Sequence, residues 1–475
     1  MTDVLQWIDG ADVQGGGKPF DNINPSNGQK ISTLSEATPD QVSLAVNAAR
    51  RAFELGEWRY ASHADRRASL RRMAGAIRDN ADRLIDLQST EGGMLPAQVC
   101  GHVMGAAGWF EYFADFLARE GGESYRQLGT ALALVEREPI GVCALFSPWN
   151  VPVGLSALKL APALAAGNSV VLKPSEETPK VTRALVDLLN GAGLPKGVLN
   201  YVNGRGAITG AALAEVPGVD MISFTGGSIA GSAVAVAAAK RHIPCVMELG
   251  GKSATIVFSD AELEAAISGA AMAIYGNNGE ACLAGSRILL HDSIADDFIE
   301  GFQERAEAMV VGDPKADGVA MGPMISAQHQ TRVLGFYDSA KVDGDTVLFG
   351  GPAEADGFHV RPGAIKIAST QSRVWREEVF GPLAAFTTFS DEAEAIALSN
   401  DSAYGLSGYL WTRDISRAMR VSKALRTGTV IINSAFMREL NAPFGGYKQS
   451  GIGREGGAHS WMNFTEAKTT VINHG

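Results

Sequence analysis

Four cysteines are scattered through 475 residues, at positions 100, 143, 245 and 282, with no paired spacing. That excludes a disulfide framework and a thiolate zinc site, and it fits a reducing compartment. No metal is expected. Positive charge is in short supply, because 41 Lys and Arg against 52 Asp and Glu leave a net charge of −11. The densest basic stretch, RRASLRR over 66–72, reads as a solvated helix face, so nucleic acid is not expected as a partner. No run approaches the ~20 apolar residues of a membrane span. The acidic start MTDVLQWIDGADV lacks the apolar centre of a signal peptide. A cytoplasmic chain that does not enter membranes is therefore expected. Fixed-period repeats and low-complexity segments are absent as well.

What is present is length enough for two or three folding units. Thr38-Pro39-Asp40-Gln41 supplies a helix cap, a proline for the first turn and a capping glutamine. Val42, Ala45, Val46, Ala49 and Phe53 follow at helical spacing. A second helical pattern carries Leu70, Met73, Ile77, Leu84 and Leu87, and a third spans 102–118. From 141 short apolar strands alternate with helices, at Val142–Phe146, Ser169–Leu172, Val198–Val202, Met221–Phe224 and Cys245–Glu248. Such alternation predicts an α/β fold with a doubly wound parallel sheet, whose ligands bind at the carboxyl ends of its strands. A second α/β unit follows, with strands near Arg287–Leu290, Leu383–Phe389 and Val430–Asn433. Gln127–Glu138 and the tail AKTTVINHG read as strands without a local partner.

One stretch concentrates chemistry. ELGGKS begins at Glu248, and GNNGEACLAGSR carries Cys282. An unassisted thiol, with its pKa near 8.5, is a weak nucleophile at neutral pH, and backbone N–H groups in a Gly-rich loop favour its thiolate. A thiol with a distant carboxylate suits covalent catalysis followed by activation of water. Ser147-Pro148-Trp149-Asn150 closes the first strand–helix unit and offers a neutral amide donor that also suits a helix cap. Phe224-Thr225-Gly226-Gly227-Ser228 turns from strand to helix, a place where backbone approaches phosphate. Leu172-Lys173-Pro174-Ser175-Glu176, the turn Gly204-x-Gly206, Glu378-Val379-Phe380-Gly381-Pro382 and Pro443-Phe444-Gly445-Gly446 complete the set.

Together these segments resemble the aldehyde dehydrogenase superfamily, and the likeness runs over nearly the whole chain. It implies a Rossmann-like cofactor domain (1–120 and 140–248), a second α/β catalytic domain (249–445) and a small β oligomerisation module (121–139 and 446–475). It implies a homodimer or homotetramer. It makes Cys282 the nucleophile and Glu248 the general base, with Asn150 and the Cys282 N–H cradling the oxyanion and Lys173 supporting them. Cys282 adds to an aldehyde, hydride passes to NAD, and water activated by Glu248 hydrolyses the thioester. Trp149, Lys173, Glu176, Gly206, Phe224, Gly226, Gly227, Ser228, Leu249, Glu378 and Phe380 would hold the cofactor. A carboxylate at Glu176 repels a 2′-phosphate, which favours NAD over NADP.

Gly227 stands where the family usually has Ser, and Glu280 replaces a common Gln. Glu280 reads as a solvated or paired loop carboxylate, with a second proton acceptor as the other option. Val151, Gly154, Leu155, Leu158, Ala281, Leu283, Phe436, Arg438 and Phe444 would line the substrate tunnel, Gly154 widening it for a larger, aromatic aldehyde. Arg438-Glu439-Leu440 is similar to the motif of members acting on muconic-type semialdehydes. Arg438 either clamps a substrate carboxylate or pairs with Glu111. A CoA-acylating dehydrogenase and a non-catalytic member of the fold are the competing readings.

Overall fold

The computed structural model describes residues 4–437 and 439–475. The capping box forms as the sequence predicts: the Gln41 N–H donates to the Thr38 hydroxyl and the Thr38 N–H donates to Gln41 Oε1. The helix Pro39–Leu55 then runs to a left-handed Gly56. The second helical pattern is two helices, His63–Asp79 and Ala81–Gly92. They break at Asn80, whose side chain turns back to donate to the Ala76 carbonyl at 2.9 Å.

RRASLRR is only in part a solvated face: Arg71 and Arg72 are exposed, but three of its arginines reach distant carbonyls. Arg66 is buried and donates to the Ala166 carbonyl, Arg67 donates to the Ala114 carbonyl, and Arg72 to the Ala192 carbonyl. Each guanidinium satisfies a carbonyl at or near a helix C-terminus, where cations are favoured.

Five parallel strands form the centre of an eight-stranded sheet, in the order Leu199–Tyr201, Ser169–Pro174, Val142–Ser147, Met221–Thr225, Cys245–Glu248. The order reverses between Val142–Ser147 and Met221–Thr225, so a crevice opens beyond Ser147 and Thr225, as in Rossmann-like folds. Their near-continuous burial explains their apolar sequences. A seven-stranded sheet holds Val360–Lys366, Leu383–Phe389, Arg287–His291, Ala254–Val257, Ser407–Trp411 and Thr429–Ile432 in parallel, with Thr346–Pro352 antiparallel at one edge.

The two strands without local partners find each other. Thr465–Asn473 pairs antiparallel with Ala131–Pro139, and Glu123–Tyr125 completes a three-stranded sheet. Gly451–Ile452, placed by sequence in that small module, pairs with Met247 and Glu248 at the edge of the eight-stranded sheet. Among the described residues no helix is long and apolar enough to cross a membrane, and no acidic, His or Cys cluster could hold a metal.

Candidate active site

Glu248 ends a strand of the first sheet, opposite Thr225 on one side and Gly451 on the other. The chain then crosses to the second sheet through Leu249–Ser253 and enters the strand Ala254–Val257. Several bonds fix this crossing. The Leu249 N–H donates to the Ser450 carbonyl at 2.9 Å, and the Gly251 N–H donates to Glu378 Oε1 at 2.8 Å. Arg287 donates from Nε to the Lys252 carbonyl at 2.9 Å.

Gly251 is where the two chemical segments meet. A Cβ there would lie 2.3 Å from the Cys282 carbonyl oxygen, so only glycine lets the loops approach this closely. Gly445, from the late PFGG stretch, presses on Glu248 in the same way: a Cβ there would lie 2.7 Å from Oε1.

The loop carrying Cys282 is built by consecutive left-handed residues, Asn277 at φ 54°, Asn278 at φ 58° and Gly279 at φ 74°. Asparagine tolerates this conformation better than most residues. The amide of Asn278 is pinned, donating to the Gly93 and Pro323 carbonyls and accepting from the Gly322 N–H. Asn150 donates from Nδ2 to the Glu280 carbonyl at 2.9 Å, and Asn277 donates to the Asn150 carbonyl at 3.2 Å. Cys282 is partly exposed, whereas Cys143 is buried and its thiol is pushed well up by burial.

Glu280 is not a solvated carboxylate. Its side chain is buried, accepts from the Ile325 N–H at 2.9 Å and lies 3.7 Å from His329 Nε2. Burial raises its pKa well above the usual range, and the Glu177 carboxylate adds to the rise.

The crevice beyond Ser147 and Thr225 collects the residues expected to hold a cofactor. Lys173 is buried at a strand end, with Nζ 3.3 Å from Glu176 Oε2, while Glu176 Oε1 accepts from the Gly206 N–H at 3.2 Å. Burial alone would raise the Glu176 pKa, but the neighbouring Lys173 charge and the N–H bonds leave it below its ordinary value. Phe224 packs on Phe146, and Leu249 fills the space against Gly231 on the helix Ser228–Lys240.

Around Trp149 stand Phe380 and His329, with ring centroids 5.2 and 5.6 Å away. A Cβ built on Gly206 or Gly227 meets no atom within 4 Å, which leaves open room at both turns. The Lys173–Glu176 pair, the open helix start at Gly227 and the partly buried Glu378 suit a dinucleotide's ribose hydroxyls and phosphates.

The expected tunnel residues divide. Val151 caps the helix Pro152–Ala166, and Leu155 is partly buried. Leu158 is 1% exposed within the packed core. Gly154 does not widen a space: a Cβ there would meet Val151 at 3.0 Å and the His102 carbonyl at 3.5 Å. The glycine instead lets two helices approach.

Ala281 and Leu283 flank Cys282 and are partly exposed. Phe436, at φ 49°, meets Tyr409 edge-on at 6.5 Å. The Phe444 backbone bridges to Glu455. Arg438 lies outside the described residues; the carboxylate of Glu111 is held by both Nε and an Nη of Arg78.

Four residues near the site escape sequence reasoning. Tyr409 is buried in an apolar strand, donates to the Leu283 carbonyl at 3.1 Å and has its pKa raised by burial and by Cys282. His329 stands by Trp149 and Phe380. Lys159 and Glu455 form a buried pair at 2.6 Å, and both share Ser223. A lone lysine inside LSALKLAPALAA was the available signal for that pair.

Residues 12–470 match the model of the aldehyde dehydrogenase family, and the chain belongs to that family. It is 40% identical over 487 residues to 2-hydroxymuconic semialdehyde dehydrogenase of Pseudomonas sp. (strain CF600), covering 99% of this chain and 100% of that protein. Betaine aldehyde dehydrogenase of Bacillus subtilis (strain 168) is 40% identical over 457 residues, with 95% and 93% covered. The crystal structure of betaine aldehyde dehydrogenase from Staphylococcus aureus in complex with NAD+ superposes with a TM-score of 0.97 at 37% identity, over 99% and 95% of the two chains. This chain is an aldehyde dehydrogenase.

Proposed function

We propose that the protein is a hydrolytic aldehyde dehydrogenase in which Cys282 is the nucleophile and Glu248 the general base. The observation that supports this is the close approach of Gly251, three residues beyond Glu248, to the Cys282 carbonyl. The Cys282 thiolate attacks the carbonyl carbon, and the resulting oxyanion is received by the Asn150 amide and the Cys282 N–H. Bound NAD supplies the hydride acceptor. Glu248 then takes a proton from water as it adds to the thioester, which releases the carboxylic acid and restores the thiol.

Lys173, Glu176 and Gly206 hold the adenine-side ribose in this reading, and Gly226, Gly227 and Ser228 receive the phosphates. Trp149, Phe380 and Glu378 frame the nicotinamide side. We assign a carboxylated or aromatic semialdehyde as substrate, on the likeness to 2-hydroxymuconic and 2-aminomuconic 6-semialdehyde dehydrogenases. The division into a cofactor domain, a catalytic domain and a small β module, and assembly as a homo-oligomer through that module, belong to the same reading. So does a cytoplasmic location, which suits four scattered cysteines without paired spacing.

The test is NADH release across aliphatic, aromatic and carboxylated semialdehydes, with the product assayed as free acid and as acyl-CoA. Cys282→Ala abolishes turnover and still binds NAD, and Glu248→Gln gives one burst of NADH and then stalls. Normal steady-state turnover by either variant refutes its assignment.

A further inference from the structure

Two buried cations stand outside the proposed chemistry. Lys252 is 2% exposed, and its Nζ has no hydrogen-bond partner among the described residues. Arg287 is equally buried and directs its donors to neutral carbonyls, those of Lys252, Leu398 and Ser399. Neither side chain enters an ion pair among the described residues.

Both residues line one cavity of about 10 Å³, together with Ser407, Arg426 and Thr427. Ser407 Oγ and Thr427 Oγ1 are buried and lack a partner among the described residues, as Lys252 Nζ does. A hydroxyl offers one proton to an acceptor, and an ammonium offers three. Three side chains therefore bring unmatched donors to the same small space.

Charge and size decide what suits it. Buried ammonium and guanidinium groups are costly unless an opposite charge or polar groups replace the lost water. Asp401 acts on Arg287, but its carboxylate is held by Arg376 at 2.9 and 2.7 Å. Burial pushes Lys252 down to about 7, with Arg287 and Arg332 adding to the fall and Glu378 and Glu377 resisting it. A neutral occupant leaves both positive charges unmatched, whereas one negative charge offsets the two together. A space of about 10 Å³ admits a single body near the size of water. Phosphate, sulfate and organic anions are too large, which leaves a halide.

We propose that this cavity binds a monovalent halide such as chloride, held by the Lys252 ammonium and the Ser407 and Thr427 hydroxyls, with Arg287 adding its charge. The site lies against the crossing Leu249–Ser253. Arg287 grips the Lys252 carbonyl, and the neighbouring Gly251 meets the Cys282 carbonyl. A bound halide thereby steadies the segment that approaches the Cys282 loop, and it does so apart from the residues assigned to cofactor and substrate.

The experiment uses crystals of the full-length protein grown without halide, soaked in sodium bromide and measured at the bromine absorption edge. An anomalous peak is expected within hydrogen-bond reach of Lys252 Nζ, Ser407 Oγ and Thr427 Oγ1. Lys252→Met loses that peak. In solution, sodium chloride should raise the apparent Tm of the wild type by on the order of 2 °C over sodium gluconate at equal ionic strength. The gain disappears in Lys252→Met and shrinks in Thr427→Val. General salt effects act on all three proteins alike and cancel in the comparison.

No peak in the cavity overturns the proposal. A peak without a chloride-specific gain in Tm marks an adventitious ion only, and a gain that persists in Lys252→Met places the ion elsewhere; either refutes the site. Should Lys252→Met fail to fold, Ser407→Ala combined with Thr427→Val tests the same cavity and is expected to lose most of the gain. A full gain in that double variant counts against the site in the same way.

Discussion

The Asn150 side chain donates to the Glu280 carbonyl at 2.9 Å and so ties the first strand–helix turn to the loop that carries Cys282. One amide therefore holds the Cys282 loop, and in the proposed mechanism it is also the oxyanion donor. Asn150→Ala is expected to lower kcat by ~10²–10³, the usual loss for one oxyanion donor, with NAD affinity near wild type. Steady-state kinetics together with an NAD titration check this. An unchanged kcat would leave Asn150 only its structural bond.

In the proposed reading Glu176 contacts the ribose and so separates NAD from NADP. Its carboxylate is held on one side by Lys173 and on the other by the Gly206 N–H. Glu176→Ser removes the repulsion of a 2′-phosphate and leaves Lys173 free to pair with it. The ratio of kcat/KM for NADP over NAD should rise at least tenfold. A static ratio would mean that this carboxylate does not read the ribose.

The Lys159–Glu455 pair has side chains 0% and 3% exposed, so each charge depends on the other. Lys159→Met strands the carboxylate in the core and should cost about 3–5 kcal/mol, in line with breaking a buried pair. Lys159→Met combined with Glu455→Leu should recover much of that loss. Urea denaturation of the single and double variants measures both, and a loss under ~1 kcal/mol for the single variant would contradict the burial argument.

Burial pushes His102 and His329 down to about 4 from the ordinary 6.5. The unfolded chain thus binds protons that the folded one refuses between those values. The stability linked to these neutral imidazoles is fully present above pH 6.5 and is lost as pH falls from there toward 4. His102→Gln keeps a polar group beside Gln88 and should flatten the fall in Tm over that interval. A Tm profile parallel to wild type would show that His102 titrates normally.

Much of the fold was legible because its parallel strands are buried on both faces and read as unbroken apolar runs. The capping box at Thr38 was equally plain. The break at Asn80 was hidden because the apolar spacing of Leu70, Met73 and Ile77 continues through Leu84 and Leu87 on the next helix. The arginines of RRASLRR looked solvated because their carbonyl partners, such as Ala166 and Ala192, lie 100 and 120 residues away. Gly154 misled for a related reason: a missing side chain can make room for a ligand or for a neighbouring helix, and only His102 decides. Cys282 and Glu248 stood out by motif, but the approach of Gly251 to the Cys282 carbonyl is a property of the crossing between sheets.

The buried pair also sets a schedule for biosynthesis. Lys159 and Glu455 are separated by 296 residues, and the strand at Ala131–Pro139 waits for the last residues of the chain. At ~5–20 residues per second, the lysine leaves the ribosome about 15–60 s before its carboxylate does. Until then Lys159 lacks its carboxylate and the strand Ala131–Pro139 lacks its partner Thr465–Asn473. A chain truncated before Glu455 would keep both groups unmatched.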